Sequence, residues 1–304
     1  MNASSPKSKN PVRKAAVAGL IGAAGLAAAS SAGLIGRPEA PRGPRRVLIT
    51  GAASGFGLEL AKLFIARGDH VIATDLHDAA NEAVAKLGDN CTYRKLDVTS
   101  DEDWAAAAAE VGAVDVLVLN AGIAVGGAIE NVSMDTWHRA LEINLLGAVR
   151  GCRAFVPLLP RGAQIVMTAS SAGLVHAFKM STYNATKAAV VALAETVDFE
   201  LRDRGITTSA ICPQFFRSNL ASSLSGDDAE ADDFARTLLT KAPLTAAEVA
   251  ERAMRGIDAR RQVITPDRGA TVSWYFKRFA RPLYLTVMRR AGEDPQRLGK
   301  LLGR

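Results

Sequence analysis

RVLITGAASGFGLELAKLFIARGDHVIATD, residues 46–75, changes character twice within a single short span. RVLIT is a brief apolar run that stops at a glycine, which reads as a buried strand. GFGLELAKLFIARG is longer, mixes apolar with charged residues and closes on glycine, which reads as an amphipathic helix. HVIATD reads as a second strand. Strand, turn, helix and strand in that order form a βαβ unit, whose two strands lie parallel in one sheet with a right-handed crossover.

The alternation continues down the chain. CTYRKLDV (91–98), AVDVLVLN (113–120), AQIVMTAS (163–170) and GITTSAIC (205–212) read as further strands, separated by helical stretches such as 133–155 and 184–203. VDVLVLN is apolar without alternation, as a central strand covered on both faces requires. The expected fold class is α/β: a doubly wound parallel sheet in a single domain over residues 46–267, with extensions at 1–45 and 268–304.

A chain of 304 residues, 48% of them hydrophobic, buries a full core of this kind and excludes disorder along its whole length. Cys91, Cys152 and Cys212 match no metal or disulfide spacing, and His70, His77, His138 and His176 form no paired ligand motif, so no metal site is expected. The thiols suit a reducing compartment. The net charge of +6 is unevenly spread. Of 37 Lys/Arg and 31 Asp/Glu, residues 1–46 hold 8 and 1 and residues 268–304 hold 9 and 2, leaving 20 basic against 28 acidic residues in between. An acidic body repels a phosphate backbone, so no nucleic-acid partner is expected.

The basic ends have readings of their own. AAVAGLIGAAGLAAASSAGLIG (15–36) holds no charge over 22 positions, follows Lys7, Lys9, Arg13 and Lys14, and is long enough to span a bilayer, although its Ala/Gly content makes insertion marginal. A membrane anchor or surface helix, a signal-like segment and a flexible linker all fit it. RPEAPRGPRR (37–46), with three prolines and four arginines, reads as a polar linker. In the tail, WYFKRFARPLYLTVMRR interleaves aromatic and aliphatic residues with Lys277, Arg278, Arg281, Arg289 and Arg290, a pattern that suits a membrane surface or a partner subunit. Between Ser218 and Pro243 the apolar pattern stops and SGDDAEADD appears; such a segment after a strand's carboxyl end borders the ligand crevice.

The turn after the first strand, TGAASGFG, places Gly51, Gly55 and Gly57 where backbone amides can approach a pyrophosphate at the positive end of the following helix, with Ser54 and Phe56 in the same turn. A strand before it and a helix after it are the context that gives the pattern its meaning. Asp75 ends the second strand, where a carboxylate accepts the hydroxyls of an adenosine ribose and repels a 2'-phosphate; neither Ser54 nor Leu76 supplies a cation to hold that phosphate. The expected cofactor is NAD rather than NADP. As a purely structural alternative, Asp75 could cap the next helix.

STYNATKAAV places Tyr183 and Lys187 four residues apart, on one face of a helix. An ammonium beside a phenol favours phenolate and lowers its pKa, which would let the pair move a proton near neutral pH. The spacing alone also suits an ordinary solvated face.

Taken in order, TGAASGFG, LDVT, NAG, the asparagine of EINLLGAV, TASSAG and YNATK resemble the short-chain dehydrogenase/reductase family, in its short-form branch, over about residues 46–265. The resemblance implies a Rossmann fold and hydride transfer between a small-molecule secondary alcohol or ketone and a nicotinamide cofactor. It implies Tyr183 as acid/base, Lys187 as the residue that lowers its pKa and binds the nicotinamide ribose, and Ser170, thirteen residues before the tyrosine, as hydrogen-bond partner of the reacting oxygen. Asn144 corresponds to the asparagine that completes a proton relay, Asp97 and Val98 to the adenine edge, and Asn120, Ala121 and Gly122 to the turn along the ribose. CPQFFRSNL corresponds to the segment PGxxxT at the nicotinamide, with Pro213 matched, Gln214 in place of glycine and Ser218 in place of threonine; the departure bears on how the backbone at 214 meets the nicotinamide. Phe178, Met180, Phe215 and Phe216 suggest an apolar substrate wall, Phe215 and Phe216 reading equally as core; the family suggests a homo-dimer or homo-tetramer, the cofactor a cytoplasmic place, and the basic ends a membrane's cytoplasmic face. Two other readings are an NAD-binding regulator without turnover, which would show a broken catalytic set, and a sugar-nucleotide epimerase or dehydratase, which would show TGxxGxxG and a larger carboxyl-terminal domain.

Overall fold

A computed structural model describes residues 43–80, 82–224 and 227–293, so the uncharged segment 15–36 and residues 294–304 of the tail lie outside the described residues. Seven strands, β1 (Arg46–Thr50), β2 (His70–Asp75), β3 (Cys91–Lys95), β4 (Val116–Leu119), β5 (Gln164–Thr168), β6 (Thr207–Ile211) and β7 (Val263–Ile264), form one sheet in the order β3-β2-β1-β4-β5-β6-β7. Every pair is parallel. The chain walks from β1 outward to β3 and then crosses back to β4 on the other side of β1, so the carboxyl ends of β1 and β4 flank the switch point at which such sheets open a crevice. The expected doubly wound sheet is present.

Alternate residues of each strand feed different layers. Val47, Ile49, Val71, Ala73, Val116 and Val118 face α1 (Gly55–Ile65) and α9 (Ala246–Asp258), meeting Leu60, Phe64, Val249 and Met254. Leu48, Ile72, Leu117, Leu119, Ile165 and Met167 face the opposite layer of α3 (Asp101–Val111), α5 (Gly147–Phe155) and α7 (Ser181–Glu200). Trp104 anchors that layer, edge-on to Phe155 at 6.1 Å, with its indole N–H donated to Val98 O at 3.1 Å, so its polar atom is satisfied inside the core.

The helix expected over 133–155 is α4 (Met134–Leu141) running into α5 through a π-helical turn at Glu142–Leu146, where the Gly147 N–H donates to Glu142 O. Short helices α2 (Glu82–Ala85) and α6 (Ser171–Leu174) complete the sheet connections. Segment 218–243 is more ordered than its composition suggested: a 3₁₀ turn at Asn219–Ser223 leads into α8 (Ala229–Thr240). The acidic run supplies that helix's cap, Asp228, and first-turn charges Glu230 and Asp232, which complement the positive end of its dipole. The tail forms α10 (Arg268–Phe279) and α11 (Arg281–Glu293), which pack back on the domain near α6. Among the described residues no helix is long and apolar enough to cross a membrane, and no His/Cys/Asp/Glu cluster could hold a metal.

Candidate active site

The crevice at the switch point is a cleft of about 630 Å³. Its rim is the turn after β1, where Gly51 and Gly55 take φ of +64° and +54°. A side chain at Gly57 would collide with Gly51 O and come within 2.6 Å of Asn120 Nδ2, so only glycine lets α1 start this close to the strand ends. The amino end of α1 therefore faces the cleft with backbone N–H groups free of side-chain cover, the arrangement that holds a pyrophosphate.

Asn120 stitches the rim together. Its Nδ2 donates to Thr50 O at 2.9 Å and Gly51 O at 3.2 Å, while Oδ1 accepts from Thr168 Oγ1 at 3.0 Å, joining the ends of β1, β4 and β5. Thr50 Oγ1 accepts from the N–H groups of Asn120 and Ala121 at 2.9 and 3.0 Å. Asp75 caps no helix: its Oδ2 accepts the Ala53 N–H at 2.9 Å and its Oδ1 the Leu76 N–H at 2.8 Å, which fixes the carboxylate against the glycine turn. Asp97 is likewise held by a local turn, accepting from Thr99 N and Oγ1 at 2.9 and 2.7 Å.

The positions expected from the sequence to contact a dinucleotide, namely Gly51, Ser54, Gly55, Phe56, Gly57, Asp75, Asp97, Val98, Asn120, Ala121, Gly122, Tyr183, Lys187, Pro213 and Ser218, all line this one cleft. Ile123, Arg139, Ile143, Thr168, Leu220 and Ser223 line it too and were not expected. Ile143, Thr168 and Leu220 lie inside the quoted motifs and Ile123 follows NAG, but their residue types do not single them out, and Arg139 and Ser223 lie outside any motif. Thr168 has a signal in hindsight, a polar residue closing an apolar strand.

At the floor, α7 brings Tyr183 and Lys187 together. The Lys187 ammonium lies 5.8 Å from the centroid of the Tyr183 ring and donates to Thr168 O at 2.9 Å. Gly173 on α6 lets that helix press on α7, since a side chain there would come within 2.5 Å of Lys187 O. Ser170 caps α6, accepting from Ala172 N at 3.1 Å, and its side chain also bonds Tyr183. The expected depression of the tyrosine pKa is not found. Burial pushes Tyr183 up to about 12, against a smaller pull downward from the Ser170 hydrogen bond, and burial lowers Lys187 to about 8. Both groups are taken out of water, and that cost outweighs their mutual influence. Cys212 lies behind them with its thiol raised to about 12 by burial, so it stays neutral.

Asn144 sits in the π turn. Its Oδ1 accepts from Ile123 N at 2.8 Å and its Nδ2 donates to Ile123 O at 3.1 Å, clamping the segment after Gly122 next to the Lys187 ammonium. It is buried and stands behind the cleft wall rather than on it. The aromatic positions divide. Phe216 packs under the glycine turn at 5.7 Å from Phe56 and lines the cleft as part of the core. Phe178 and Phe215 lie off the lining, Phe178 stacked on Phe234 of α8 at 6.4 Å.

That stack belongs to a cover. The 3₁₀ turn leans over the cleft, with Ser223 Oγ accepting the Ala124 N–H at 2.9 Å. Asp228 accepts from Ala128 N at 3.0 Å and Asn131 Nδ2 at 2.9 Å, and these bonds hold its carboxyl down at about 2. Lys179 pairs with Glu230 at 2.7 Å.

A family model described as short chain dehydrogenase matches residues 45–229. The chain is 34% identical over 183 residues to the 2-(R)-hydroxypropyl-CoM dehydrogenase of Xanthobacter autotrophicus, covering 56% of this chain and 73% of that protein. It is 36% identical over 173 residues to the 3-alpha-(or 20-beta)-hydroxysteroid dehydrogenase of Mycobacterium bovis, covering 55% of this chain and 66% of that one. A solved short chain dehydrogenase/reductase from Burkholderia phymatum in complex with NAD superposes with a TM-score of 0.74 at 26% identity, covering 82% of this chain and 96% of that one. A short-chain dehydrogenase from Sphingobium yanoikuyae in complex with NADPH superposes with a TM-score of 0.65 at 26% identity, covering 80% and 95%.

Proposed function

The chain belongs to the short-chain dehydrogenase/reductase family, enzymes that act on CH–OH groups, and from that premise we propose that it interconverts an apolar secondary alcohol and its ketone with NAD as the preferred cofactor. The observation that carries the reading is the meeting of Tyr183 and Lys187 at the floor of a cleft whose rim is a bare helix amino end, with Ser170 buried beside the tyrosine. A nicotinamide dinucleotide fits this cradle and, when bound, supplies the hydride acceptor or donor. The chain's own residues do the rest. Tyr183 removes the hydroxyl proton of the alcohol, or returns it to the ketone oxygen, while Ser170 holds that oxygen by a hydrogen bond. Lys187, lowered to about 8, is mostly charged at neutral pH and provides the positive field in which a Tyr183 phenolate can form. Asn144 keeps the segment after Gly122 against that ammonium.

Asp75 supports NAD. Its carboxylate is fixed on the glycine turn, and the next residue, Leu76, is apolar and exposed, so a 2'-phosphate would meet a negative charge there with no cation from either residue. An apolar substrate is supported by Phe216, Leu220 and Ile143 on the lining and by the relatives' steroid chemistry.

The test is reduction of NAD or NADP by the full chain across secondary alcohols from propanol-sized to steroid-sized, with Tyr183→Phe as control. The expected result is turnover with NAD that rises with apolar size and falls at least a thousandfold in Tyr183→Phe, with NAD binding retained. Full activity in that variant would sink the assignment, and a preference for NADP would remove the role of Asp75.

We also read the tail as resting on an anionic membrane. Val272, Tyr275 and Phe279 stand at i, i+3 and i+7 on one face of α10 and are 68%, 49% and 53% exposed, amid the exposed cations Arg278, Arg281, Arg289 and Arg290.

A further inference from the structure

Among the described residues, the tail packs Trp274 on the core and hydrogen-bonds the domain near each end of α10, at segments that adjoin the cleft lining at Pro213 and Ala169. At its amino end, Asp267 caps α10 by accepting the Ala270 N–H at 2.6 Å and uses its other oxygen to accept the Gln214 N–H at 3.0 Å. The Gln214 side chain lies in the same junction. With its amide nitrogen toward Asp267 Oδ1, at 3.2 Å, its carbonyl oxygen accepts from Ala270 N at 3.1 Å. Gly269 makes room for it, because a side chain at that position would come within 2.5 Å of the end of the Gln214 side chain. Toward the other end of α10, the Lys277 ammonium donates to Leu174 O at 2.7 Å and lies 3.3 Å from the His176 ring nitrogens, while Tyr284 OH donates to His176 O at 3.5 Å.

Gln214 follows Pro213 in the loop that closes one side of the cleft, and Leu174 ends the short helix that begins next to Ser170. The two attachment points are distant in sequence and joined by one helix. We infer that α10 is a strap that fixes the distance between the Pro213–Ser218 loop and the Ser170 segment, and that Gln214 is the positioning residue through which the strap holds the loop. The glutamine that departs from the glycine of the family pattern is then matched to a partner, the first turn of the tail helix. A glycine at 214 would leave Ala270 and Asp267 without that side chain and let the loop move independently of the tail. The inference rests on the reading of Pro213–Ser218 as the nicotinamide edge for its kinetic consequence only; the mechanical link is independent of it.

Two measurements on the full chain separate these. The first is amide hydrogen exchange at Gln214 in Lys277→Met, a change made at the far end of the helix. Exchange at least tenfold faster than in the wild type is expected, since loosening one end of a strap frees the other; an unchanged rate at Gln214 would overturn the strap. The second is steady-state kinetics of Gln214→Met, which keeps the side chain's bulk and removes both amide bonds, and of Gly269→Ala, which displaces it. Each is expected to raise the KM for NAD about tenfold with kcat within a factor of three. An unchanged KM for NAD in both variants would overturn the role of Gln214. Loss of cofactor-dependent turnover in the wild type would count against the proposed activity and leave the exchange result to decide the strap.

Discussion

A buried lysine is a stability cost carried for chemistry. Lys187 has its pKa lowered to about 8 by burial, against 10.5 for the exposed group. That difference amounts to about 3 kcal/mol between the protonation states. Between the two values the unfolded chain holds the proton and the folded chain does not, so the native state gains stability as pH rises through 8 toward 10.5. Below that window the folded chain keeps a buried charge. Lys187→Met, which also strips Thr168 O of its donor, is therefore expected to be about 1–2 kcal/mol more stable than the wild type at pH 7 and inactive. Urea unfolding at pH 7 and pH 9.5 checks this: the variant's advantage should shrink at the higher pH, and an advantage that grows would contradict the sign. The face shared by Tyr183 and Lys187 was legible from their spacing. The direction of the tyrosine shift was not, because spacing says how close two groups lie and nothing about how much water surrounds them. Phe178 and Phe215 illustrate the same limit, since their apolar character said only that they would be covered, and the cover turned out to be Phe234 for Phe178 rather than a substrate wall.

At the scale of elements, one carboxylate serves the cover over the cleft twice. Asp228 caps α8 and at the same time accepts from Ala128 and Asn131 across the opening, so its loss frees both the helix start and the latch. Asp228→Asn keeps an acceptor for the cap, whereas Asp228→Ala keeps neither. The expectation is a rise of about tenfold in the KM for the alcohol in Asp228→Ala, a smaller rise in Asp228→Asn, and an unchanged KM for NAD; equal effects on both substrates would place the change elsewhere. The sequence marked this segment as crevice-bordering without showing that it folds into a helix, because its acidic residues look like solvent-facing loop until their capping partners are known. Strands β1, β2, β4 and β5 were legible because each carries an apolar run bounded by turn residues, and β3 and β6, more polar, through their Thr, Tyr and Ile residues and their place in the strand–helix alternation. β7 was not: Val263 and Ile264 are two residues long and register only by pairing with Ala210 and Ile211. The π turn was equally silent, since no residue type in EINLL marks a widened turn.

For the whole molecule, the unequal charge distribution becomes spatial. The acidic middle of the chain is the sheet and its helices, and the basic tail is a pair of helices on its surface with an apolar row facing outward. Each Arg near an anionic bilayer contributes about 1 kcal/mol, and that attraction fades within a Debye length in salt. Flotation of the full chain with vesicles containing phosphatidylserine is expected to be reduced severalfold in Tyr275→Ser/Phe279→Ser and in Arg289→Glu/Arg290→Glu. Flotation equal to the wild type in both variants would assign any binding to another part of the chain.

The two margins of the sheet have a consequence for crowding. An open parallel sheet offers unpaired backbone at each edge strand, an invitation for another copy to dock and for copies to stack in series. At one margin β7 offers only two residues, too few to template a partner strand. At the other, β3 carries Arg94, paired with Glu110 at 2.8 Å, and Lys95, paired with Asp78 at 2.5 Å, so an incoming strand would have to displace charged side chains held in place. A short edge at one margin and charged side chains at the other are the features that oppose edge-to-edge docking in native sheets.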